Sequence, residues 1–167
     1  MNATSAYGTA KGYVQSAYVI VTNPARSQVD DCTIFYSLHL LIGFSLELYL
    51  KSWLLNNGID AKKLRQKTYG HNISYLYREA RKRGLNSEYN LSIQHIAEKH
   101  ASFEYRYPKP DSVFKVFPIQ DIFDYLSQLN NEVGRGIGVI NKNAFDLEKE
   151  KWDVPKSFRD WNFNILD

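Results

Sequence analysis

The chain has 167 residues and a formal net charge of +3, with 44% hydrophobic and 23% charged residues. These values exclude wholesale disorder and allow one domain whose hydrophobic core needs no disulfide bonds. The single cysteine, Cys32, cannot form an internal disulfide, and we expect it to be a buried thiol at the start of an apolar helix.

Two helices are predicted in the first third of the chain. A weakly periodic helix over residues 5–22 should end at Asn23-Pro24, because the residue before a proline avoids the helical conformation. A longer helix should begin after an N-cap at Ser27 and stop at Asn56-Asn57-Gly58. Its apolar stretch contains charged residues, which predicts a core helix rather than a membrane span.

Further helices are predicted downstream. A short helix is expected over residues 61–67, and another should open at Asn72 or Ser74 and end before Gly84. Residues 91–101 and 119–133 have helical periodicity, and the second of these ranges is the more amphipathic. Three prolines break the segment between them, which therefore predicts a loop.

The last part of the chain differs from the helical part. The glycines between residues 134 and 138 follow a predicted helix rather than a strand, which indicates a helix stop or hinge and not a phosphate loop. The tail from residue 139 contains Phe145, Trp152, Phe158, Trp161 and Phe163. It should pack either on its own core or on a second copy. We therefore divide the chain into a helical bundle, 1–133, and a hinge with its tail, 134–167.

A polar stripe on the long helix is the first candidate site. His39, Gly43, Glu47 and Lys51 recur every four residues, so they share one face. This face is either solvated, with Glu47 and Lys51 forming an exposed ion pair, or it lines a partly buried groove. The apolar surroundings of the stripe add weight to the second alternative, and both remain open.

Cationic residues supply the second candidate site. Arg106 lies between Tyr105 and Tyr107 and could grip a phosphate or carboxylate, or could tie its loop to the bundle. A basic band with interleaved tyrosines could contact nucleic acid through phosphates and bases, or could be a solvated face. Its cations are Lys62, Lys63, Arg65, Lys67, Arg78, Arg81, Lys82 and Arg83.

Metal binding is not predicted. His95 and His100 are five residues apart, which separates them around a helix, and the chain has no His-Glu-x-x-His motif or cysteine pair. No cofactor is expected either. Because no basic start followed by an apolar run marks a signal peptide, we expect a cytoplasmic protein.

Several motifs together resemble the HEPN superfamily of small helical domains. They are the run Phe44-Ser-Leu-Glu-Leu-Tyr-Leu-Lys51, the following Gly58, the segment Gly70-His-Asn-Ile73 and the segment Tyr105-Arg-Tyr-Pro108. The resemblance covers roughly residues 30–133. It implies an up-and-down bundle of four or five helices, usually dimeric, with a role near RNA, nucleotides, toxin–antitoxin systems or defence.

Many members of that superfamily are metal-independent RNases with an arginine followed, four to six residues later, by a histidine. Arg106 has no such histidine after it. Arg65 and His71 have the spacing, but they lie between the long helix and the next one. The Arg-Tyr-Pro form resembles the branch that is often paired with a small nucleotidyltransferase.

Three functions therefore remain open. The first is a non-catalytic dimerising module that binds a nucleotide, RNA or a protein partner in a groove lined by Glu47, Lys51, His71, Arg106 and Tyr107. The second is a metal-independent endoribonuclease with His71 as the proton-transferring group. The third is a structural interaction protein that assembles through its aromatic tail.

Overall fold

The computed structural model describes residues 1–28, 30–140 and 151–163, and within these ranges it is all-helical, with no strand. The five helices are α1 (Ala3–Thr22), α2 (Cys32–Asn56), α3 (Ile73–Arg81), α4 (Leu91–Ala101) and α5 (Ile119–Gly136). Short 3-10 turns occur at Pro24–Gln28, Lys63–Arg65 and Lys156–Phe158. The predicted all-α bundle is confirmed.

Helix α2 is the centre of the bundle and contacts the other four helices, α1 most extensively. Its residues Ile42, Leu46, Leu50 and Leu54 are fully buried, and their spacing forms the apolar stripe of a core helix. The segment Ile34–Asn56 is long and apolar enough to cross a membrane by composition, yet 72% of an apolar 18-residue stretch within it is buried inside the bundle. This burial is typical of a core helix.

Asparagines begin three of the helices. The Asn2 side chain accepts a hydrogen bond from the Ser5 backbone amide at 2.8 Å, so α1 begins at Ala3 and not at residue 5. Asn72 caps α3 in the same way, as predicted, through the amide of Tyr75 at 3.0 Å. Asn90 caps α4 through the amide of Ile93 at 2.9 Å.

The start of α2 differs from its prediction. Ser27 is not an N-cap, because its hydroxyl donates to the Pro24 carbonyl inside a 3-10 turn, and α2 begins only at Cys32. The predicted Ser27 cap is therefore wrong. Cys32 is exposed rather than buried, so the expectation of a core thiol is also wrong. It is the first residue of the helix and precedes the buried face that starts at Phe35.

Two other predicted helices have a different extent in the structure. Helix α5 continues through Gly134 to Gly136, three residues beyond its predicted end. A Cβ on Gly136 would lie 2.2 Å from the Trp53 ring, so this glycine permits close packing of α5 on α2. The predicted helix over residues 61–67 is only the 3-10 turn Lys63–Arg65.

The described part of the tail, residues 151–163, packs on its own chain. Trp152 and Val154 belong to the core, and the Trp152 amide donates to the Ser127 hydroxyl at 2.9 Å. The Trp161 indole donates to the Phe117 carbonyl at 2.8 Å. Phe145 lies outside the described residues. The described part of the tail therefore packs on its own core, which is the first of the two predicted alternatives.

Candidate functional site

The polar stripe of α2 points into the bundle. His39 is 1% exposed, Glu47 4% and Lys51 8%, so the stripe is not a solvated face. A charged side chain is almost never fully buried without a partner. The partners of Glu47 and Lys51 therefore define the candidate site.

Glu47 is the hub of a four-residue cluster. Its Oε1 accepts a hydrogen bond from the Lys51 ammonium at 2.6 Å. Its Oε2 lies 3.0 Å from His71 Nδ1 and 3.0 Å from His100 Nε2. One carboxylate thus joins three helical regions: α2 itself, the residue before the cap of α3, and the last turn of α4.

The cluster keeps Glu47 ionised. Burial alone raises the pKa of this carboxyl, but hydrogen bonds from His100, Lys51 and His71 and the Lys51 charge outweigh it, and the pKa falls to about 2. The negative charge of Glu47 is then balanced within one helical turn by Lys51. Because Glu47 is also buried, a ligand would reach the cluster through its most exposed member, His71.

His100 can contact Glu47 because Gly43, one turn earlier on α2, leaves room for the His100 ring. A Cβ on Gly43 would lie 2.3 Å from His100 Nδ1, so any larger residue would push the imidazole away. The sequence patterns did not identify His100, because the spacing of histidines along one helix carries no information about a contact with another helix. The usable signal was Gly43 itself, one turn before Glu47 in an otherwise bulky helix.

His71 connects the buried carboxylate to the outside. Its side chain is 41% exposed, while Glu47 Oε2 lies against its Nδ1. A carboxylate accepts hydrogen bonds, so a proton sits on Nδ1, and Nε2 is the free acceptor when the ring is neutral. The ring also lies 5.4 Å from that of Phe103.

Arg106 and His71 lie against the same two aromatic rings. The Arg106 Cζ is 4.6 Å from the Phe44 ring centre and 5.3 Å from that of Phe103, and both rings also face His71. The guanidinium makes no hydrogen bond or ion pair with any residue that the structure describes. Its donors are therefore available to a ligand.

The aromatic neighbours of Arg106 differ from those that the sequence indicated. Tyr105 is buried and stacks on His39 at 5.2 Å, and Tyr107 is 73% exposed. The arginine instead rests on Phe44 of α2 and on Phe103. Phe103 has φ of 61°, an uncommon left-handed conformation for a bulky residue, and this geometry projects its ring beside Arg106.

The basic band divides into two halves. In the α3 half, Arg81 holds the Leu85 and Asn86 carbonyls, and Lys82 and Arg83 pair with Glu79. Arg78, also on α3, lies over the Tyr75 ring. The loop half is exposed and has no ion pair among the described residues; it consists of Lys62, Lys63, Arg65 and Lys67.

His39 belongs to the packing of the bundle rather than to the groove. Its Nδ1 donates to the Phe35 carbonyl at 2.8 Å, and its ring stacks between Tyr105 and Trp161. Burial lowers the pKa of His39 to about 4, against the opposing effect of the Phe35 hydrogen bond. His39 is therefore neutral at pH 7.

Comparison with known proteins gives no identity. No protein-family model, no curated protein and no solved structure matches this chain. We therefore infer function from the geometry of the candidate groove, the residues Glu47, Lys51, His71, His100 and Arg106.

Proposed function

We propose that this groove binds single-stranded RNA through its phosphates, as the site of a HEPN-like module. The supporting observation is Arg106, whose guanidinium lies on two aromatic rings and has no polar partner among the residues that the structure describes. A planar guanidinium binds phosphate oxygens in a bidentate manner, and aromatic faces hold it in one orientation. An arginine that tied its loop to Glu47 or to a helix C-terminus would have a carboxylate or carbonyl partner.

The surroundings of Arg106 favour a polyanion over a single small anion. The loop half of the basic band ends at Lys67, four residues before His71, and adds exposed positive charge at the entrance. Such charge contributes affinity for a phosphate backbone by releasing counterions. Phe103 and Tyr107 add exposed aromatic surface on which unpaired bases can stack.

The buried part of the cluster explains why an anion is tolerated beside a glutamate. Glu47 is neutralised by Lys51 at 2.6 Å and is only 4% exposed. The exposed groups are His71, a potential donor, and Arg106, a permanent cation. The outer surface of the groove is therefore positive.

The test is fluorescence anisotropy with a labelled single-stranded RNA at several salt concentrations, in the presence of EDTA. Arg106→Ala should weaken binding by at least about tenfold and lower the slope of log affinity against log salt by about one. The matched control is Lys82→Ala, which removes one charge from the paired half of the band and should bind like wild type. Equal affinities of wild type and Arg106→Ala would refute the proposal.

A second candidate function, metal-independent RNA cleavage, is supported by the orientation of His71. Glu47 holds Nδ1, which leaves Nε2 free to accept a proton from a ribose hydroxyl, next to a phosphate-binding arginine. Labelled RNA should then be cleaved in EDTA by wild type, and neither His71→Ala nor Arg106→Ala should cleave it. Binding without cleavage in any sample would leave the non-catalytic module.

A further inference from the structure

The hub of the groove also has the donor set of a metal site. Glu47 Oε2, His71 Nδ1 and His100 Nε2 all lie within 4.8 Å of one another. We propose that these three atoms bind one Zn²⁺ ion. This inference goes beyond RNA binding and rests on the ligand geometry alone, although the two sites share His71.

The distances fit a small tetrahedral ion. Zn²⁺ binds nitrogen and carboxylate oxygen at about 2.0–2.2 Å, which places neighbouring ligand atoms about 3.3–3.5 Å apart in a tetrahedron. The two nitrogens now lie 3.0 Å from the shared oxygen. Both nitrogen–oxygen distances must therefore lengthen by a few tenths of an ångström, through an outward shift of the half-exposed His71 and a small adjustment between Glu47 and the buried His100.

The chemistry of the donors selects the class of metal. Two imidazoles and one carboxylate suit Zn²⁺ and its neighbours in the transition series, whereas Mg²⁺ and Ca²⁺ prefer oxygen ligands. Three protein ligands leave a fourth position for water. The ion replaces the ring protons now facing Oε2, so each neutral imidazole carries its proton on the other nitrogen when the metal is bound.

The framework already holds two of the ligands. Glu47 and His100 are both buried, and Gly43 allows the His100 ring to sit directly on α2. His71 supplies the entry route, because it is the only partly exposed member of the three. A site with two fixed ligands and one movable ligand loses little conformational freedom on binding.

The positive charge of Lys51 should lower the affinity for the metal, and removing this charge therefore tests the proposal. Its ammonium occupies Oε1 of the same carboxylate at 2.6 Å, so a bound dication would lie close to a positive charge. Removing that charge while keeping an unbranched side chain, as in Lys51→Met, should raise the Zn²⁺ affinity by at least about tenfold. A metal bound far from Glu47 and Lys51 would not respond in this way.

The experiment uses the untagged, EDTA-stripped full chain, titrated with ZnCl₂ by calorimetry and with CoCl₂ by visible spectroscopy. Wild type should bind one ion per chain and show the intense bands of four- or five-coordinate Co²⁺. His71→Gln and Glu47→Gln should lose this ion. His95→Gln, which changes a histidine of α4 outside the cluster, should keep it.

Circular dichroism on every variant separates loss of the site from loss of the fold, and His71→Gln, a change at a half-exposed residue, should remain folded. Absence of Co²⁺ bands in folded wild type would overturn the inference. So would retention of the ion by folded His71→Gln, or its loss in His95→Gln. RNA binding is measured in EDTA, so failure of either proposal leaves the other unaffected.

Discussion

Two buried carboxylates on or beside α2 are surrounded by donors, but only one of them has a half-exposed partner. Asp31, at the start of α2, receives two hydrogen bonds from Arg26, at 2.9 and 2.5 Å, and one from the Asn162 amide at 2.6 Å. Arg26 also donates to the Phe158 and Asp160 carbonyls. Both side chains are at most 5% exposed, so this cluster is closed.

Glu47, four turns further along α2, has an equal number of donors but a different surrounding. One of them, His71, is 41% exposed, and the adjacent Arg106 has no polar partner among the described residues. The closed cluster uses its donors to hold the chain's own backbone, while the open cluster leaves donors available. Burial of a charge does not by itself indicate function, because both carboxylates are buried.

The largest difference between the Asp31 cluster and the Glu47 cluster should appear in the free energy of unfolding. Asp31→Ala should lower the free energy of unfolding by about 3–5 kcal/mol, because it leaves the Arg26 charge buried without its carboxylate and frees the tail. Urea unfolding measures this loss. Glu88→Ala removes an exposed pair with Arg81 and should cost about 1 kcal/mol or less. Equal losses would mean that the Asp31 cluster is not a structural clamp.

Acid should lower the free energy of unfolding through the protonation of His39. Because its folded pKa is about 4, below the ordinary 6.5, the unfolded chain binds the additional proton and stability falls as the pH drops from 6.5 to 4. The expected loss from this residue is about 3 kcal/mol. Unfolding curves at several pH values should show a flatter acid side for His39→Phe. An unchanged slope would assign the acid sensitivity to other groups.

The open cluster depends on a missing methyl group. Gly43→Ala should displace the His100 ring and cost about 1–3 kcal/mol, since its Cβ would overlap Nδ1. Gly12→Ala, on α1 where a Cβ meets no atom within 4 Å, should instead raise stability by about 0.5–1 kcal/mol. Thermal unfolding distinguishes the two signs. A stabilising Gly43→Ala would contradict the packing described for His100.

His71→Ala should have the smallest effect on stability. The ring is half-exposed, and Glu47 retains Lys51 and His100, so we expect a change of about 1 kcal/mol or less. The same substitution should remove the Zn²⁺ site. A loss as large as that of Asp31→Ala would make His71 a structural residue and would remove the contrast between the two clusters.

The sequence predicted the helices better than the contacts between them. Hydrophobic periodicity located α2 and α5, because a buried face repeats every three or four residues wherever its partner lies. The four-residue spacing of Glu47 and Lys51 likewise predicted a polar stripe within an apolar helix. Such signals are local and need no knowledge of the fold.

Contacts between distant residues had no comparable signal. Ser27 resembled an N-cap because the rule considers only neighbouring residues, whereas α2 begins at Cys32, directly after Asp31, which bonds to Arg26 and to the tail. His100 was not linked to Glu47, since 53 residues separate them. The interleaved tyrosines around Arg106 indicated stacking, but Phe44 and Phe103 provide it.

The closed cluster of Arg26 and Asp31 has a consequence for the order of folding. The backbone acceptors of Arg26 on Phe158 and Asp160 are 132 and 134 residues away in the chain. Contacts of such long separation form late, because closing the loop between them costs entropy that only earlier structure can offset. During synthesis on the ribosome, the corner between α1 and α2 must wait for the tail before its charges are fully satisfied. We therefore expect the completed chain, and not the nascent bundle, to reach full stability.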